Sequence, residues 1–255
     1  MYGAIIGDLA GSIYEYDQTK QIKNITIDKI ISDNSFYSDD TILTIAILDA
    51  IQNNKDYNKY LRDYIKRYKD YKPKFSPYFK KAFSPNLVKW SEQEKIGTSS
   101  GNGAMMRISP VGYLFNTEEE VITNAKLATI PSHNTASSIY SATTIALIIY
   151  YFRQGLSKEE VFKKLKINPS FKPFTKFNIT CDETINNCLY VLYNSTSFEE
   201  AIKNAIYMGG DTDTNAAIVG SMAESLYGIN ENLKKEAEEH LPPEFVLLLK
   251  KAEHL

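Results

Sequence analysis

Cysteine and histidine are scarce in this chain, with two and three residues among 255. Cys181 and Cys188 are too few for a disulfide framework or a cysteine-rich zinc site. Their spacing puts them on neighbouring turns of a helix, where buried free thiols are expected, as suits a reducing cytoplasm. An excess of charge of one sign is also missing. Twenty-nine Lys and Arg against thirty-one Asp and Glu leave a net charge of −2, so no global basic field draws nucleic acid or anionic lipid. The locally basic stretch from Lys55 to Lys95 reads as a solvated face. No uncharged run approaches the ~20 residues that span a bilayer. The apolar N-terminal stretch has no basic residues ahead of it and is interrupted by Asp8, which excludes a signal peptide. Linker-like composition is absent too: glycine and proline are scattered, and apolar residues continue to the end. One compact domain over residues 1–255 with a sizeable core is expected.

What is present is mostly helical patterning. From Asp40 to Ile51 nearly every residue is apolar, which leaves a helix no wet face and predicts its burial. Ser38 is the expected N-cap. Tyr57, Tyr60, Tyr64, Tyr68 and Tyr71 recur at three- and four-residue spacing and form a stripe, read as packing on the core rather than as a base-stacking platform. The segment 72–94, with Pro73, Pro77 and Pro85, reads as irregular with short helices. Further helices are predicted at 118–129, 136–153, 158–165, 183–193, 198–207 and 214–227, and a last one from Pro242-Pro243 through Lys251. The 214–227 helix is rich in small residues that permit close approach, and so is expected to be central. Strand signals are sparse, and helix-on-helix packing follows, an all-α bundle.

Two acidic clusters stand out: Ser38-Asp39-Asp40-Thr41 and Asp211-Thr212-Asp213-Thr214. Each opens a helix expected to be buried. A lone aspartate there is ordinarily a cap favoured by the helix dipole. Two adjacent carboxylates beside buried structure repel each other and are expensive to bury unpaired, and a cation resolves both problems. Carboxylates and hydroxyls without cysteine or histidine nearby form a hard oxygen site that suits Mg2+ first and Mn2+ next. Four carboxylates exceed what one Mg2+ usually takes from a protein, so two ions ~4 Å apart are expected. The spacing does not match an EF-hand loop.

Three further segments bear on chemistry. Gly3, Gly7 and Gly11 share one helical face that can press against another helix. Glu15 closes that segment. Gly101-Asn102-Gly103-Ala104-Met105-Met106-Arg107 reads as a flexible loop whose backbone amides are able to approach a phosphate, although it matches neither the P-loop nor the dinucleotide fingerprint. His133, in Pro131-Ser132-His133-Asn134, precedes another buried helix, and no serine–histidine–acid arrangement accompanies it.

In order along the chain, Gly-Asp-x-x-Gly-Ser-x-Tyr-Glu, Ser-Asp-Asp-Thr, Gly-Asn-Gly-Ala-Met-Met-Arg, Ser-His and Gly-Gly-Asp-Thr-Asp-Thr resemble the ADP-ribosylglycohydrolase family. The resemblance runs from residue 3 to residue 228, and its most specific part is Gly-Gly-Asp-Thr-Asp-Thr before a small-residue helix. It implies an all-α, single-domain fold with a binuclear Mg2+ or Mn2+ centre held by Ser38, Asp39, Asp40, Asp211, Asp213 and Thr214. Ser38 stands where many members have threonine and keeps the oxygen. The resemblance implies that Ser100, Gly101, Asn102, Gly103, Ala104 and Met105 form the ADP-ribose-binding loop and that His133 lines the cleft. Glu15 matches an acid/base glutamate of some members. Ser99 and Ser100 replace an aspartate or aromatic residue of some relatives, which bears on acceptor preference.

The expected reaction is hydrolysis at C1″ of ADP-ribose linked to a protein side chain or a small acceptor. A two-metal phosphoesterase acting on an ADP-ribose-like nucleotide is one alternative, discriminated by its products. A non-catalytic ADP-ribose-binding protein is the other, and the retention of all four aspartates and Glu15 speaks against it. Membranes and nucleic acid are not expected partners.

Overall fold

The computed structural model describes residues 1–14, 26–74, 81–173 and 177–254. Among these the regular structure is helical, and extended pairing is confined to two isolated bridges, Thr98 with His133 and Gly101 with Thr180. The first half contains α1 (Tyr2–Ser12), α2 (Asp39–Gln52), α3 (Tyr57–Tyr68), α4 (Pro85–Ser91), α5 (Gly103–Met106), α6 (Ser109–Leu114) and α7 (Glu118–His133). The second contains α8 (Ala136–Arg153), α9 (Lys158–Lys164), α10 (Cys181–Asn194), α11 (Phe198–Met208), α12 (Thr212–Tyr227), α13 (Glu231–Glu239) and α14 (Pro243–Ala252). Side-chain caps start many of them. Ser38, Asp56, Thr117, Thr135, Ser157 and Ser197 each accept a bond from a first-turn amide, satisfying donors that the helix itself leaves open. No helix among the described residues is long and apolar enough to cross a membrane.

The most extensive helix pair is α1 with α12, and glycine makes it so close. A Cβ on Gly3 would lie 2.1 Å from the carbonyl oxygen of Gly220, one on Gly7 2.1 Å from that of Ala216, and one on Gly11 2.4 Å from that of Thr212. The predicted glycine face therefore meets the small-residue helix backbone to backbone. Thr212 Oγ1 adds a 2.9 Å bond to the carbonyl of Gly11 at the end where α12 begins. Around this pair, α2 and α8 fill the interior with side chains from Ile42 to Leu48 and from Ile145 to Ile149.

The tyrosine stripe of α3 packs on the core as predicted. Tyr64 and Tyr68 stack on Phe245 of α14 or on each other, and Tyr71 stacks on Tyr37 at 4.6 Å. Cys181 and Cys188 are both buried free thiols. The sequence reading did not name α5, α6 or α13, and its largest boundary difference is at α7. α7 does not stop at Thr129 but continues through Pro131 to His133. The last turn is held from outside: Gly97 and Ser99 donate their amides to the carbonyls of Pro131 and Ser132, so tertiary pairing offsets the helix-breaking tendency of the proline.

Candidate active site

The α1–α12 contact carries the acidic residues together. Asp8 projects from α1, Asp39 and Asp40 open α2, and Asp211 and Asp213 open α12. Carboxylate oxygens of Asp8, Asp40 and Asp213 lie within 4.8 Å of one another, all buried. Thr214 Oγ1 donates to Asp40 Oδ2 at 3.2 Å, which ties the two clusters directly. Asp39 and Asp211 line the same space. Burial raises the Asp40 carboxyl well above its usual range, and the charges of Asp8, Asp39 and Asp211 raise it further.

Asp8 is the residue the sequence reading left out of the site. Its Oδ1 accepts from Ser38 Oγ at 2.8 Å. Its Oδ2 accepts from the Ser38 amide at 2.9 Å, the Thr41 amide at 3.1 Å and Thr41 Oγ1 at 2.5 Å. A buried carboxylate thus grips the turn that presents Asp39 and Asp40. Burial raises its pKa, and these hydrogen bonds offset only part of the rise. The signal was a lone acid inside an apolar N-terminal helix. Nothing in sequence spacing ties it to residues thirty positions on.

These groups fit a divalent cation. Asp40 Oδ1 is buried without a hydrogen-bond partner, a state native proteins rarely leave uncompensated. The surrounding donors are carboxylate and hydroxyl oxygens, the set that hard cations take. Asp8→Asn is expected to remove the charge and put an amide NH2 in place of one carboxylate oxygen, so that at least one of the four donors loses its acceptor. Cation affinity should fall roughly 10–100-fold through disorder of the Ser38–Thr41 turn, read by magnesium titration calorimetry. Wild-type affinity would show that the turn holds without Asp8.

The acidic cluster forms one end of a cleft of about 940 Å³. Ser38, Asp39, Asp40, Gly101, Asn102, Gly103, His133, Asp211, Asp213 and Thr214 all border it. Ser100, Ala104 and Met105 lie elsewhere: Ser100 is exposed, and Ala104 and Met105 pack in the core. Glu15 lies outside the described residues. The lining also includes Phe83, Leu87 and Trp90, from α4 and the segment before it.

The glycine segment is held more firmly than the sequence suggests. The Asn102 amide donates to the Ile179 carbonyl at 2.8 Å, the Cys181 amide to the Ser100 carbonyl at 2.9 Å, and Cys181 Sγ to the Gly101 carbonyl at 2.8 Å. Asn102 Nδ2 donates to Asp211 Oδ2 at 2.6 Å, so this segment also touches the acidic cluster. From Gly103 the chain turns into the short helix α5, whose Met105 amide donates back to the Asn102 carbonyl at 2.9 Å. The His133 ring lies beside Gly103. A Cβ on Gly103 would lie 3.3 Å from His133 Nε2. Burial, and then the charge of Arg107, lower the His133 pKa to about 3, so the ring is neutral at physiological pH.

The sequence and fold can now be set against known proteins. The family model described as ADP-ribosylglycohydrolase matches residues 1–249. The chain therefore belongs to the ADP-ribosylglycohydrolase family, a class of enzymes that hydrolyse bonds to ADP-ribose. It is 20% identical to the ADP-ribosylhydrolase ARH3 of Mus musculus, over 90% of this chain and 83% of that protein. It is 23% identical to the ADP-ribosylarginine hydrolase Tri1 of Pseudomonas putida (strain GB-1), over 62% of this chain and 44% of Tri1. A solved chain described as an ADP-ribosylglycohydrolase-related protein complex shares the fold. Its TM-score is 0.72 at 17% identity, covering 98% of this chain and 95% of that one.

Proposed function

We propose that this enzyme hydrolyses the C1″ bond of an ADP-ribosyl group attached to a protein side chain or a small acceptor, with two Mg2+ or Mn2+ ions as cofactor. The observation that carries this reading is the buried carboxylate cluster, with Asp40 Oδ1 lacking a protein partner, opening into the same cleft as Gly101–Gly103 and His133. Ser38, Asp39, Asp40, Asp211, Asp213 and Thr214 would hold the ions. Bound there, the ions would supply Lewis-acid stabilisation of charge near the reacting sugar.

The chain's own groups do the rest. Asp8 fixes the turn that carries the ligands. Asn102 fixes Asp211, and Gly103 beside it carries no side chain between its backbone and the diphosphate. The cleft volume lies within the range of small-ligand sites, and Phe83, Leu87 and Trp90 give it apolar lining. Water attacks C1″, the bond from C1″ to the acceptor nitrogen or oxygen breaks, and the proton released by the water balances the one gained by the leaving atom. Glu15 is proposed as the group that handles this proton. Glycosidic cleavage of this kind passes through an oxocarbenium-like transition state.

Arginine-linked and serine-linked ADP-ribosyl peptides, incubated with magnesium and then with chelator, test the reading. Free ADP-ribose released only with the cation is the expected result. AMP with ribose phosphate would point to phosphoester chemistry, and no release from either peptide would overturn the proposal. Glu15→Gln should slow turnover by ~100-fold or more with cation affinity unchanged. An unchanged rate would remove Glu15 from the reaction.

A further inference from the structure

Arg107 is the largest fully buried side chain among the described residues. Burial lowers its pKa to about 10, still far above neutrality, so it is a buried cation. It follows α5 directly and reaches the last turn of α7, where Nη2 donates to Ser132 Oγ at 2.8 Å and to the Ala128 carbonyl at 3.4 Å. Ser132 Oγ in turn lies 2.7 Å from His133 Nδ1. Arg107, Ser132 and His133 all border the cleft.

The direction of this chain of bonds can be worked out. A guanidinium only donates, so Ser132 Oγ accepts from Arg107. If His133 Nδ1 carried a proton, it too would point at Ser132 Oγ. The serine hydroxyl would then hold two incoming donors, and its own proton would be left without this acceptor in a site where Ser132 is 4% exposed. Buried hydroxyls rarely accept that arrangement. The hydroxyl proton therefore goes to Nδ1, and the ring proton sits on Nε2. Nε2 is the nitrogen beside Gly103.

We propose that Arg107 and Ser132 are positioning residues that fix His133 as an Nε2–H donor, aimed at an acceptor oxygen of the ligand beside Gly103. Its use rests on the reading that this cleft takes the ADP-ribosyl group, whose diphosphate oxygens are acceptors only. An imidazole free to exchange tautomers would present a lone pair to those oxygens part of the time. The relay removes that state. It also gives a reason for a buried arginine here, since Nη2 reaches both the Ala128 carbonyl and Ser132 Oγ and, as a donor only, guarantees the direction of the serine bond.

Ring-15N histidine labelling with long-range proton–nitrogen correlation reads the tautomer directly, and His133→Gln assigns the signal against His240 and His254. The wild-type protein is expected to show a neutral Nε2–H ring across the neutral pH range. Ser132→Ala, a small change at a helix end, should convert that signal to a mixture of tautomers. It should weaken binding of free ADP-ribose by ~10-fold with a cooperative unfolding transition retained, at a midpoint lowered by the loss of the Arg107 acceptor. Ser132→Thr keeps the hydroxyl and should restore both. An Nδ1–H ring in the wild type, or a tautomer unchanged in Ser132→Ala, overturns the relay. If the tautomer behaves as expected but ADP-ribose does not bind the wild type, the relay stands and the reading of the cleft as an ADP-ribosyl site falls.

Discussion

Asp40→Asn is expected to leave the cation-free protein more stable than wild type and the enzyme without activity. Asp40 is 2% exposed. Its Oδ1 has no hydrogen-bond partner, and its Oδ2 accepts from Ser38 Oγ and Thr214 Oγ1 at 3.2 Å each. Without a cation, a charge there is opposed by burial first and by Asp8, Asp39 and Asp211 next, so the folded protein holds the Asp40 proton to a higher pH than the unfolded chain does. The folded state then binds more protons than the unfolded state between the unfolded carboxylate value of ~3.9 and the raised folded value. Stability is accordingly full below that value and is lost as pH rises through the raised folded value. In chelator, the thermal midpoint of the wild type relative to Asp40→Asn should fall as pH rises from about 4 toward neutrality. Saturating magnesium should remove that difference, because the cation takes the place of the proton. The same substitution deletes a ligand carboxylate. Turnover should drop at least ~100-fold, the worth of a few kcal/mol of charge stabilisation. A variant that keeps a wild-type magnesium-induced shift in midpoint would show that the cation site lies elsewhere.

The burial of α2 was legible in the sequence because Ile42 to Leu48 leave no polar face, and the α1–α12 packing because Gly3, Gly7 and Gly11 recur at a helical interval facing a helix of small residues. These are local periodicities. The misses were all long-range. Asp8 looks like a blemish in an apolar helix until the fold brings Ser38 and Thr41 to it. The Gly101–Arg107 segment looks flexible because the bonds that fix it come from Ile179 and Cys181, far along the chain. α7 outlasts Pro131 because residues 97–99 pair with its final turn. Arg107 shows the same limit. Its charge suggests a surface position, whereas its guanidinium is enclosed and directed at Ser132. Of the residues named from sequence for the glycine loop, Gly101, Asn102 and Gly103 border the cleft, while Ala104 and Met105 anchor the segment to the core.

The other large effect is expected at Gly7, away from any ligand. Alanine in a helix interior ordinarily stabilises by up to ~1 kcal/mol relative to glycine. Here the sign should reverse. A Cβ on Gly7 would lie 2.1 Å from the Ala216 oxygen, 2.3 Å from the Ala216 carbonyl carbon and 2.5 Å from the Ala217 nitrogen. All three are backbone atoms of a buried helix, so no side chain can swing aside. α1 and α12 must separate, and the loss should reach ~4 kcal/mol or more, the range of severe core overpacking. Urea unfolding should show a much lower midpoint or no cooperative transition. Gly101→Ala provides the contrast, since its Cβ would meet Ser99 Oγ at 3.3 Å and the Ile179 oxygen at 3.4 Å, and folding should survive. The separation at Gly7 also reaches the site. Asp8 follows Gly7 on α1, and Asp213 sits on α12 where Gly11 touches its backbone. Whatever fraction of Gly7→Ala folds should therefore bind magnesium more weakly than wild type, although no ligand has changed. A folded Gly7→Ala protein with wild-type stability and cation affinity would show that this helix contact does not set the spacing of the acids.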